Sequence, residues 1–116
     1  MIETTQELEA LFAGKDVTVR TIYSRLLEVL RTLGPFKEEP KKTSIHLVNV
    51  SGFAGVHPRK SFLYLNVRMD RPLRGERIAK SEQVSKNRFH NEVKITSPDE
   101  VDAELTGWLK EAYALA

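Results

Sequence analysis

Three groups of chemistry-bearing residues gather in the middle of this chain of 116 residues. Arg88, His90 and Lys94 alternate with Phe89, Val93 and Ile95, and that period of two puts the polar set on one side of an extended segment. Lys41, Lys42, Arg59 and Lys60 stand near the ends of neighbouring segments. Together they read as a basic surface for phosphates, whose neutralisation releases counterions and makes binding salt-sensitive. Phe62 and Tyr64 add rings on which exposed bases could stack, as in sheet-based single-strand binders. The competing reading is an ordinary solvated face, with Glu38 and Glu92 interleaved among the bases.

His46, His57 and His90 form the second group, one in each of three segments. Adjacent strands could join imidazoles as metal ligands or leave one to move protons near neutral pH. No HxH or HxxxH pair exists, so satisfied or exposed histidines are the simpler expectation. The third group, Glu92-Val93-Lys94 with Asp70 upstream, is similar to the acidic and ExK elements of metal-dependent nucleases, where two carboxylates hold Mg²⁺ and a lysine positions water. Any half-exposed strand of alternating charge produces this tripeptide by chance. GxGxxG, GxSxG and HExxH are absent, and Lys41-Lys42-Thr43 lacks the glycines of a phosphate loop.

The elements that must position these residues are legible from periodicity. Thr4 to Glu7 reads as a capping box for a short helix that carries Leu8, Leu11 and Phe12 and stops at Gly14. Asp16 or Thr18 caps a second helix, with Val19, Ile22, Tyr23, Leu26, Leu27, Leu30 and Leu33 on one stripe before Gly34-Pro35. Strands are expected near 43–50, 53–58, 62–69 and 88–96, the third alternating Leu63, Leu65, Val67 and Met69 with Tyr64, Asn66 and Arg68. Residues 70–87, with Arg71, Arg74, Arg77, Lys80 and Lys86, read as a long mobile connection. Ser97-Pro98-Asp99-Glu100 announces a last helix, with Val101, Leu105, Trp108, Leu109 and Ala112 as its buried stripe.

Composition bounds the rest. The length suits one domain, residues 1–116, and a 41% hydrophobic, 29% charged make-up is that of a folded chain. Without cysteine there are no disulfides, thiolate sites or thiol nucleophile, and a reducing cytoplasm is the expected location. The acidic N-terminal stretch is unlike a secretory signal, and no apolar run approaches a membrane span. Net charge is +2, but residues 35–97 hold thirteen bases and six acids, a net +7 between two acidic ends.

Pro40-Lys41-Lys42-Thr43, Pro58-Arg59-Lys60, His90, Ser97-Pro98-Asp99-Glu100-Val101-Asp102 and Trp108-Leu109 with Ala112-Tyr113 resemble a bacterial domain family of unknown function. The resemblance spans nearly the whole chain. In that family some members carry the label of predicted transport protein, and no catalytic residue is assigned. The layout also resembles the small MmcQ/YjbR-like and iron-chaperone-like domains, which implies helices packed on one face of an antiparallel sheet.

The expectation is therefore an α+β fold: a four-stranded antiparallel sheet with N-terminal and C-terminal helices on one face. Its expected function is non-catalytic binding of an anionic partner, nucleic acid or protein, with no cofactor and no membrane. The expected binding residues are Lys41, Lys42, His57, Arg59, Lys60, Tyr64, Arg88, His90 and Lys94. One alternative is a small Mg²⁺-dependent phosphodiesterase. Another is a homodimeric assembly module that pairs through its sheet by way of Phe62, Tyr64 or Phe53.

Overall fold

The apolar stripes of the first 31 residues become two helices in the computed structural model, which describes the backbone of residues 2–116 and the side chains of residues 6–116. Helix α1 runs Ile2–Ala10 and α2 Val17–Arg31. Since α1 begins at Ile2, Thr4 lies inside it and does not cap it. Gly14, at φ 74°, makes the turn between the two helices, and Asp16 takes the extended N-cap position of α2. Val19, Ile22, Tyr23, Leu26 and Leu30 are fully buried, as their spacing requires when one helix face meets a core.

Among the described residues the sheet has six strands, not four: β1 (Lys37–Pro40), β2 (Ile45–Val48), β3 (Gly52–Pro58), β4 (Leu63–Met69), β5 (Ile78–Ser85) and β6 (Arg88–Ile95). All neighbours are antiparallel, in the order β1-β2-β3-β4-β6-β5. The two unexpected strands are the two edges. An edge strand has one neighbour and little to bury, so β1 (KEEP) and β5 (IAKSEQVS) lack the apolar alternation that marks a strand. The 70–87 connection is thus not a continuous loop: β5 fills half of it and turns into β6 through Lys86-Asn87.

After β6, Ser97 and Pro98 start a single 3₁₀ turn, Pro98–Glu100, instead of the last helix. Helix α3 (Ala103–Leu115) has its own cap, Asp102, whose carboxylate accepts the Leu105 N–H at 3.1 Å. Burying Leu105, Leu109 and Ala112, α3 leaves Trp108 half-exposed at the core margin, its ring centre 5.7 Å from the Arg77 guanidinium. No helix among the described residues is long and apolar enough to cross a membrane.

Strand register puts Ile45 opposite Val56, Val56 opposite Leu65, and Leu65 opposite Val93. All are buried, and with the stripes of α1, α2 and α3 they form one core on one side of the sheet. At about 25 cal/mol per Å² of apolar surface, this shared burial is the main stabilising contribution. Phe53 belongs to it too: a register irregularity at Leu47/Val48 turns it inward, fully buried, edge-on to Tyr113 at 5.3 Å. It is therefore not available as an exposed pairing residue. One polar side chain interrupts the inner row. Asn91, fully buried, accepts the Leu73 N–H (2.9 Å) and the Ser81 hydroxyl (2.7 Å) at its Oδ1. Its amide nitrogen donates to the carbonyls of Arg71 (3.3 Å) and Val67 (3.5 Å).

Candidate functional site

Because side chains alternate across a strand, the register that builds the core also builds the opposite face. Three cross-strand rows result. His46, Gly55, Asn66, Glu92 and Lys80 make the first; His57, Tyr64 and Lys94 the second; Arg68, His90 and Glu82 the third. The helices pack on the other side, so these rows meet solvent.

Glycine opens a hollow among them. Gly55 leaves the centre of its row without a side chain, where a Cβ would lie 3.8 Å from both Asn66 Cβ and His57 Nε2. A hollow of about 250 Å³ results, floored by Gly52 and Gly55 and walled by His46, His57, Asn66, Arg68, Arg88 and His90. Arg68 reaches along it and donates to the Ser51 hydroxyl (3.1 Å) and the Gly52 carbonyl (2.5 Å). Among the described residues four of the nine arginines meet carboxylates, as in Arg20 with Glu9 and Arg77 with Asp102. Among the described residues neither Arg68 nor Arg88 has such a partner. Burial and the nearby Arg88 charge hold Arg68 below the ordinary arginine range, so two unneutralised guanidiniums are placed together against their own repulsion.

The histidines respond to the same field. Burial, then Arg59, lowers His57, with Glu92 opposing; burial, then Arg88, lowers His90, with Glu82 opposing. Both imidazoles are therefore neutral at pH 7, and the arginines supply the positive charge. A bound anion favours the imidazolium, so sulfate, a dianion throughout, should bind more tightly as pH falls below the ordinary histidine value of 6.5. Stability runs the other way: the unfolded chain takes up these protons first, so unfolding free energy declines over the same acid range. Calorimetric titration with sulfate at a series of pH values checks this, and a profile that His57→Gln with His90→Gln leaves unchanged would dissociate the histidines from the ligand.

The nine residues expected from the sequence divide by place. His57, Arg88 and His90 line the hollow. Tyr64, Arg59 and Lys94 adjoin its His57 side in a second cluster: Arg59 lies over the Tyr64 ring (5.6 Å), Lys94 over the Phe62 ring (4.4 Å), and the rings meet edge-on at 5.2 Å. Each ring thus has a cation over it where a base would stack. Lys60 is engaged elsewhere, donating to the Gly14 carbonyl at 2.8 Å and so fastening the β3–β4 turn to the helices. Lys41 pairs with Glu39 at 3.8 Å and, with Lys42, borders α1 near Glu7 and Leu11.

Asp70 follows the end of β4, while Glu92 stands opposite Asn66 within the sheet. That separation is about 13 Å along the strands. No group of three His, Asp or Glu among the described residues is placed to hold a metal ion. Sequence reasoning missed Arg68, Asn66, Gly52 and Gly55. The signal was there for the first two, whose alternation with Leu65 and Val67 assigns them to the open side, and a strand glycine marks close approach to the backbone.

Residues 8–116 match a family described as a domain of unknown function, DUF5655. No curated protein and no solved structure matches the chain.

Proposed function

We propose that this chain, which belongs to the DUF5655 family of domains of unknown function, is a binding module that recognises an anionic partner on its open sheet face. One observation carries the reading: Arg68 and Arg88, without carboxylate partners among the described residues, converge on a glycine-floored hollow. Guanidiniums in that setting offer forked donors to oxyanions, and phosphate is the oxyanion that best matches paired arginines. The net +7 of residues 35–97 supports a nucleic-acid phosphate as the partner group, since charge of that sign gathers polyanions before close contact. A chain without cysteine suits work in a reducing bacterial cytoplasm.

Filling the floor tests the site without altering any charge. Gly55→Val places a β-branched side chain in a strand, with ordinary contacts to Asn66 and His57, so the fold should hold or gain slightly. Binding to a short single-stranded oligonucleotide, followed by anisotropy at low salt, should weaken at least about tenfold. Unchanged binding in a folded Gly55→Val protein sinks the hollow as the recognition site.

A further inference from the structure

The two edges of the sheet are unlike. At one edge, β1 has four residues and ends in Pro40, which has no N–H to offer a neighbour. At the other, β5 has eight, nearly all exposed, and is paired only to β6. Sheet edges are commonly guarded by charges such as lysine. Here Lys80 is followed two residues later by Glu82, and both face the open side, opposite Glu92 and His90 of β6.

We infer that the outer flank of β5 pairs antiparallel with β5 of a second copy about a two-fold axis perpendicular to the sheet. Such an axis keeps both open faces on the same side, so residues that meet across it must share a side. Near the centre of the strand this leaves three registers. Lys80 meets Lys80, or Glu82 meets Glu82, or Ser81 meets Ser81 with each Lys80 opposite a Glu82. Charge selects the third, and symmetry supplies its ion pair twice. Lys80 and Glu82 already approach to 3.8 Å within one strand, so both heads lie close enough to exchange partners. The two copies would share one continuous sheet, with both Gly55 hollows on one side. An edge contact alone is smaller than a standard stable interface, so the dimer is weak and its population follows concentration. The pairing does not depend on what the hollow binds.

Sedimentation velocity over a dilution series tests it. The 13.2 kDa protomer should move toward twice that mass as concentration rises. Lys80→Glu alone puts glutamates opposite each other, and Glu82→Lys alone does the same with lysines. Each should stay at protomer mass while circular dichroism shows a native sheet. An equimolar mixture of these variants should regain the doubled mass, since an all-Glu flank then meets an all-Lys flank, and the double charge swap should dimerise like the unaltered chain. A constant protomer mass for the unaltered chain overturns the inference and leaves the β5 edge to a strand of another protein. Single variants that dimerise normally, or a mixture that stays monomeric, overturn it too.

Discussion

Arg68→Met combined with Arg88→Met lowers affinity for a short oligonucleotide about a hundredfold, because each loses a charge-assisted hydrogen bond worth about 1.5 kcal/mol or more. Methionine keeps an apolar stem against the face and removes only the guanidinium. The slope of log affinity against log salt becomes shallower by about 1.4 for a single strand, since two phosphate contacts are gone. Stability should not fall in step, because the free protein loses a repulsion that now depresses Arg68. Lys41→Met with Lys42→Met is the control: it removes the same formal charge beside α1, away from the hollow. Equal losses from both pairs would mean that binding follows net charge and not the site.

Asn91→Leu lowers the unfolding free energy by about 3 kcal/mol, the loss expected when buried donors and acceptors are left without partners. Shape is nearly preserved and the side chain is already dry, so burial of apolar surface should favour the variant. What it loses is the carbonyl that accepts from Leu73 and Ser81 and the amide that donates to Arg71 and Val67. These bonds tie β4, the segment after it and β5 to β6. Urea unfolding measures the change, and a loss below about 1 kcal/mol would show that neighbouring groups find new partners. A loss of about 3 kcal/mol is a large share of the roughly 5–15 kcal/mol that holds a domain folded.

How much of this was legible in the sequence depended on which elements have something to bury. The stripe of α2 and the alternation of β4 were clear because each has one face in the core, and the strand carrying Arg88, His90 and Lys94 was readable for the same reason. β1 and β5 were invisible because little of either is buried: each pairs its backbone with a single neighbour, a pattern that side-chain types do not report. Ser97 showed a related limit. Its hydroxyl accepts the Asp99 N–H at 3.3 Å as a capping serine should, yet the turn it starts lasts three residues and Asp102 starts the helix. The open face could be placed from β6 alone, but the hollow could not. Its floor depends on where Gly55 falls against His46 and Asn66, and register across three strands is a property of the folded sheet.

The position of β6 between β4 and β5 has a bearing on how the chain acquires its shape. β4 and β5 are consecutive in the chain but never touch as neighbours, so β5 cannot zip onto the growing edge of the β1–β4 meander. A hairpin closed by two residues forms in about microseconds. The β5–β6 ribbon is therefore the natural unit to assemble first and dock whole, β6 leading. On a ribosome, the flank of Leu63–Met69 waits unpaired until residue 95 has emerged, which makes it the interval in which a nascent copy is most open to mispairing.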